Sequence, residues 1–298
     1  MCLHTGFYFY IMKVYFNLVK FSHTIFALPF ALTGLVLGFV ISETPFSWER
    51  LLLVLGCMVT ARNTAMAFNR YIDKDIDAAN ERTKVREIPS GKLSGRQVVF
   101  FIVLNAILFI ALTWLINPLC FYLSPVALMV IMGYSLTKRF TFLCHLILGT
   151  GLSLAPIGAF IAVTGYFHLL PIILGLAVLF WVSGFDIIYA LQDEDFDKSK
   201  GLFSIPSFFG ANTALKISRG MHVISAILLI YFLYQSYLTI DSISTLAILG
   251  TLIFISMLIA QHLLVTATDL SKVNMAFFTN NGIASVVYGV LFMVDLLL

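Results

Sequence analysis

Charge is what this sequence most lacks. Asp, Glu, Lys and Arg make up 11% of its 298 residues, against about 25% in a soluble domain. Apolar residues make up 60%, and the mean hydropathy is +0.98. A soluble fold of this length could not hide so much apolar surface, whereas a bilayer can. A basic surplus is lacking too. The net charge is +3, so no nucleic-acid partner is expected. Cysteine is sparse: Cys2, Cys57, Cys120 and Cys144 show no CxxC spacing and mostly lie in apolar runs. They fit neither a disulfide framework nor a zinc site and read as small hydrophobes. A cleavable signal peptide is also missing. Lys13 and Lys20 interrupt the first apolar stretch, and no small-residue cleavage site precedes the first long span. Met12-Lys13 reads as a natural start, with residues 1–11 an upstream extension.

What the chain has instead is long apolar runs. Nine stretches approach the roughly 20 residues a bilayer requires: 23–42, 50–69, 97–117, 119–136, 141–163, 168–189, 216–237, 243–264 and 275–296. They are too long for barrel strands, and a backbone in lipid must satisfy its own hydrogen bonds, so helices follow. Of the 18 Lys and Arg, all but Arg50 and Arg62 fall before the first span or in the loops after the second, fourth, sixth and eighth. Such alternation predicts an all-α, polytopic membrane protein of nine transmembrane helices, N-terminus cytoplasmic and C-terminus outside. Residues 1–298 read as one membrane domain, with 1–22 a cytoplasmic N-terminal segment. A multi-pass place in the plasma membrane, or the inner membrane of a two-membrane cell, is expected. The least marked boundary is Asn117-Pro118, where the outer loop is very short.

Two of the cytoplasmic loops are acidic. In the first, Asn69, Asp73 and Asp77 recur at i, i+4 and i+8, one face of a continuous helix. In the second, Asp193 and Asp197 share a face, with Asp186 and Tyr189 one to two turns back. Asp73 and Asp77 precede Asp193 and Asp197 by 120 residues, and Ile88-Pro89-Ser90 precedes Ile205-Pro206-Ser207 by 117. An internal duplication would bring two acidic helix ends to one central cavity. Magnesium keeps hard oxygen ligands and is usually held by one or two carboxylates plus substrate phosphates. Two facing carboxylate pairs would therefore suit a magnesium-diphosphate. Lys138, Arg139, Arg82, Lys84, Arg86 and Lys198 could meet its oxygens. Asp75, Glu81, Glu87, Glu194 and Asp195 read as ordinary solvated charges.

Deeper in the membrane, Arg62 lies two turns before Asn69 on the same face. An arginine there costs at least ~2.5 kcal/mol without a partner or wet cavity. It suits an anionic group on a second substrate, such as an aromatic carboxylate, or a structural pair with a carboxylate such as Asp186. His23, His145 and His168 show no ligand spacing and read as structural histidines near span ends. The 28 phenylalanines fit a hydrophobic tail channel and lipid-facing aromatics equally well.

At these residues the sequence resembles the UbiA family of intramembrane aromatic prenyltransferases. Its NxxxDxxxD motif is matched by Asn69, Asp73 and Asp77, continuing through Asn80-Glu81-Arg82-Thr83 to Arg86-Glu87-Ile88-Pro89-Ser90-Gly91. Its DxxxD motif is matched by Asp193 and Asp197, followed by Gly201 and Ser204. The stretch from Tyr134 to Thr141 resembles the 4-hydroxybenzoate polyprenyltransferase branch. The resemblance implies nine helices around a central cavity open to lipid. It also implies magnesium-assisted ionisation of a polyprenyl diphosphate, then attack by an electron-rich ring. Asn69, Asp73, Asp77, Asp193 and Asp197 would carry Mg2+, with the four aspartates catalytic. Arg62, Asn69, Tyr134, Lys138, Arg139, Asp186 and Tyr189 would bind substrate. The acceptor would be an aromatic hydroxy acid of ubiquinone or menaquinone biosynthesis. One departure is Glu87, where ubiquinone-pathway members usually have proline. The stretch Lys20 to Leu32 looks like a menaquinone-linked subgroup, whose acceptor would instead be of the 1,4-dihydroxy-6-naphthoate type. Two other classes remain open on the residues alone: a cation-coupled transporter with acids lining its path, and a non-catalytic scaffold.

Overall fold

The computed structural model describes residues 12–19, 25–240 and 243–298. The expectations resting on residues 1–11, Lys20 and His23 lie outside them. Lys13 falls in a short helical stretch, 12–18.

All regular structure among the described residues is helical, in chain order α1 (Leu28–Ile41), α2 (Trp48–Ile72), α3 (Lys74–Ala79), α4 (Gly95–Ile116), α5 (Pro118–Thr137), α6 (Cys144–Thr164), α7 (Leu169–Ala190), α8 (Glu194–Ser199), α9 (Ile205–Phe209), α10 (Ala211–Thr239), α11 (Thr245–Leu264) and α12 (Asn281–Leu297). A π-helical segment, Met275–Asn280, runs into α12. The described residues hold eight helices long and apolar enough to cross a membrane, and they coincide with the second to ninth expected spans. The protein is thus an all-α polytopic membrane protein. The first expected span is represented by α1, an apolar helix of 14 residues.

The boundaries have local causes. Pro118 cannot continue α4, and Asn117, in extended conformation, caps α5 by accepting the Cys120 N–H at 2.8 Å. That is why two spans can meet across a single residue. Arg50, the one cation assigned to the outer side, donates to the last carbonyl of α4, on Ile116. On the same side Asp295 receives the Ser244 and Ala247 N–H groups at 2.6 and 3.1 Å, capping α11 from another helix. Against the π-helical segment, the Asn281 side chain donates to Phe277 O and Ala276 O at 2.8 and 3.2 Å.

In lipid, apolar side chains gain little by meeting one another, so close backbone approach and interhelical hydrogen bonds decide the packing. A Cβ on Gly34 of α1 would lie 2.2 Å from Pro156 O of α6, and one on Gly149 of α6 would lie 2.4 Å from Leu179 O of α7. Ser218 and Ser225 of α10 donate to Gly184 O and Ala177 O of α7. α7 is therefore held from both sides. α2 packs on α4 and α5; α6 joins α5, α1 and α7; α10, α11 and α12 follow, and α12 returns to α1. The acid-bearing helices α2 and α7 thus pack mainly on different neighbours, and side chains bridge the gap between their ends. The largest core, around Phe30, Trp181, Phe254, Tyr288 and Phe292, lies among α1, α7, α11 and α12.

Candidate active site

The two acidic clusters do not lie on continuous helices. α2 ends at Ile72, and Asp73 caps it with φ −89° and ψ 6° before α3 begins. α7 ends at Ala190, a 3₁₀ turn spans Leu191–Asp193, and Asp193 (φ −107°, ψ 6°) precedes α8. Both breaks fall at the same position of the repeat. Like charges stacked along one helix weaken it, and each break re-aims the second carboxylate inward. Asp77 and Asp197 consequently become buried, whereas Asp75 and Asp195 at the intervening positions are exposed.

Each of the four carboxylates meets its own cation. Arg139 Nη2 lies 2.8 Å from Asp73, and Arg86 Nη1 2.6 Å from Asp77. Arg82 forks onto Asp193 at 3.1 and 2.5 Å, and Lys138 Nζ lies 2.7 Å from Asp197. Two of these contacts, Arg82–Asp193 and Lys138–Asp197, stitch the halves together. Arg82 comes from the loop after the first cluster and grips the second, its guanidinium set over the Tyr189 ring and donating to the Tyr189 hydroxyl at 3.3 Å. Asn80 adds a bond to Asp193 at 3.2 Å. Arg139, from the loop after α5, also donates to Ile72 O and Ser135 O, joining the ends of α2 and α5. Phe203 N–H donates to Lys138 O at 2.7 Å, so the loop after the second cluster is tied to the same pair of basic residues. Asn69 donates to Asp73 at 3.0 Å. Burial raises the Asp73 carboxyl above its ordinary range, and the hydrogen bond from Arg139 offsets only part of that rise.

The residues fit a divalent cation. Carboxylate oxygens are the donors Mg2+ prefers, and Asp77 Oδ2 is buried with no hydrogen-bond partner. Among the described residues, no three Asp, Glu, His or Cys side chains converge closely enough to hold an ion as they stand. The reason is visible in the pairing: each carboxylate is turned to its own Arg or Lys.

Below this layer the geometry differs from expectation. Asp186 pairs with His145, whose Nδ1 lies 2.7 Å away, rather than with Arg62. Tyr134 lies within electrostatic reach of Arg62, Arg70, Asp73 and Asp186. Tyr189 packs against Phe277 of the π-helical segment, ring centroids 4.2 Å apart and tilted by 34°. His168 is structural, accepting the Leu170 N–H at the start of α7. Two expected phosphate contacts stand elsewhere, since Lys84 pairs with Glu81 and Lys198 with Glu194 at the exposed rim. Glu87 is buried, not solvated, within electrostatic reach of the buried Arg70. Arg70 and Asn80 carry no assigned role in the sequence, and His145 reads there only as a structural histidine. Asn80 sits inside the motif's continuation, but no ligand or catalytic spacing marks His145.

Comparison with known proteins places this architecture. The UbiA prenyltransferase family matches residues 27–282, and the chain belongs to that family. It is 34% identical over 173 residues to the 4-hydroxybenzoate octaprenyltransferase of Tolumonas auensis, a match spanning 58% of this chain and 60% of that relative's length. A UbiA homolog from Aeropyrum pernix K1, in its apo structure, is 30% identical with a TM-score of 0.80, covering 92% of this chain and 98% of that one. A UbiA homolog from Archaeoglobus fulgidus bound to DMAPP and Mg2+ shares the fold at a TM-score of 0.73 and 21% identity, covering 95% and 99%.

Proposed function

We propose that the protein transfers a polyprenyl group from a polyprenyl diphosphate to an aromatic hydroxy acid of the 4-hydroxybenzoate kind, in the biosynthesis of ubiquinone or menaquinone. The observation that carries this reading is the pairing of four carboxylates from two repeat-related helix ends with four cations at one end of the bundle. Four acids offer hard oxygens to magnesium, and four cations offer donors to a diphosphate. The family membership and the 4-hydroxybenzoate octaprenyltransferase relative support the same reaction.

In this reading Asn69, Asp73, Asp77, Asp193 and Asp197 would hold Mg2+, which would neutralise charge on the departing diphosphate. Arg82, Arg86, Lys138 and Arg139 exchange their carboxylate partners for phosphate oxygens. The C1–O bond of the allylic diphosphate breaks, and its electron pair leaves with diphosphate. Arg62 receives the acceptor's carboxylate, and Tyr134 and Tyr189 flank the ring. The ring attacks the allylic carbon, and Asp186 accepts the proton the ring then loses. The polyprenyl tail runs among apolar side chains toward lipid.

The whole chain acts as one membrane domain in the plasma or inner membrane. It has nine spans, α1 included, around a central cavity, with the N-terminus and both acidic clusters facing the cytoplasm. Burial of Glu87 beside Arg70 gives the departure from the ubiquinone-pathway motif a structural counterpart. That favours testing the 1,4-dihydroxy-6-naphthoate class alongside 4-hydroxybenzoate. A transporter would keep its ionisable groups near the midplane, whereas here most form the cluster at the helix ends.

The test is protein in lipid nanodiscs supplied with a polyprenyl diphosphate, Mg2+ and each aromatic acid. Prenylated product with diphosphate release is expected. No product with any acceptor overturns the reading. Asp73→Ala and Asp193→Ala should each abolish turnover while leaving the protein folded, and near wild-type rates in both would refute the metal assignment.

A further inference from the structure

His145 is buried at the start of α6, and both of its ring nitrogens are engaged. Nδ1 lies 2.7 Å from Asp186 Oδ2. Nε2 receives the Ile205 backbone N–H at 3.3 Å. A backbone N–H can only donate, so Nε2 carries the lone pair and Nδ1 the proton. The Nδ1 proton is therefore directed at Asp186, which keeps Asp186 an acceptor. Among the described residues His145 is the one hydrogen-bond partner of Asp186. The Asp186 side chain keeps 25% of its surface open, while that of His145 keeps 3%. Ile205 opens α9, directly after the loop from the second acidic cluster. The imidazole thus spans α6, α7 and that loop.

We infer that His145 is a positioning residue for the acceptor reaction: its Nδ1–H holds the Asp186 carboxylate in the orientation that receives the proton from the aromatic ring. A carboxylate on a single rotatable bond would sample several orientations, and a proton acceptor must be within hydrogen-bond reach of the proton it takes. Donation from an imidazole that is itself fixed removes that freedom, as second-layer donors do for other reactive groups. The proposal rests on the prenyl-transfer reading.

The alternative is that His145 only fastens the loop through Ile205. Two substitutions separate these roles. Asparagine puts an N–H near the Nδ1 position and reaches no further, so it keeps the bond to Asp186. Glutamine puts its terminal group near the Nε2 position, so it keeps the bond to Ile205. Wild type, His145→Asn, His145→Gln, Asp186→Asn and the double variant His145→Gln with Asp186→Asn are compared in nanodiscs. Turnover is measured, KM is measured for each substrate, and thermal unfolding checks folding. The expected result is His145→Asn within about threefold of wild-type kcat. His145→Gln should fall about tenfold or more, with KM for the polyprenyl diphosphate unchanged. The double variant should be no slower than Asp186→Asn alone, because the two residues act as a unit. Glutamine equal to or better than asparagine overturns the inference, as do additive losses in the double variant. Absence of product from the wild type overturns the prenyl-transfer reading and this inference together.

Discussion

At the scale of single residues, the site is governed by what each charge would cost alone. Asp197 has no exposed surface, and its counter-charge is Lys138, whose side chain is about one-third open. Removing one partner of a fully buried pair costs about 3–5 kcal/mol. With Lys138 this exposed, solvent screening lowers the expectation for Lys138→Ala to about 1–3 kcal/mol. Adding Asp197→Asn to that variant should recover part of the loss, because no bare carboxylate is then left buried. Thermal unfolding in nanodiscs measures both, and a double variant less stable than Lys138→Ala would contradict the pairing. Arg62 makes a different prediction. If it receives the acceptor's carboxylate, Arg62→Ala should raise KM for the aromatic acid about tenfold or more, leaving affinity for the polyprenyl diphosphate unchanged. Arg62→Lys should not restore it, because a planar fork matches a carboxylate better than an ammonium does.

At the scale of elements, the breaks at Asp73 and Asp193 are the features on which the site depends. The motif spacing suggested one face of one helix, which would have strung the carboxylates along an axis. The breaks instead turn Asp77 and Asp197 into the protein, where loop cations reach them. The helices behind the site are fixed by backbone proximity. At Gly34 an added Cβ meets the carbonyl of Pro156 at 2.2 Å. The obstacle is backbone and cannot swing aside. Gly34→Ala should therefore lower stability by about 1–3 kcal/mol by forcing α1 from α6. An unchanged thermal midpoint would mean that the two helices are free to separate.

At the scale of the whole molecule, the charge distribution and the eight long apolar helices carry the membrane assignment. The proposed orientation is open to a direct test. A cysteine at exposed Asp75, in a chain whose native cysteines are replaced, should react with an impermeant thiol reagent only in inside-out vesicles. One at exposed Trp48, at the opposite end of α2, should react only in right-side-out cells or vesicles. The reverse pattern would invert the topology.

The sequence by itself determined the class, because apolar runs near 20 residues in length admit few alternatives to helices in lipid. It placed eight of the spans to within a few residues, since proline, extended asparagine and serine caps act locally. It also picked out Asp73, Asp77, Asp193 and Asp197, because a spacing repeated 120 residues apart is visible without coordinates. Only the tertiary structure decided the partners: Arg82 to Asp193 across 111 residues, Lys138 to Asp197, and His145 to Asp186 across 41. It likewise sorted Arg82 and Arg86 into the site and Lys84 and Lys198 to the rim. The physical reason is range. Caps and apolar runs are set by neighbours along the chain, whereas a charge finds its counterion wherever folding buries the two together.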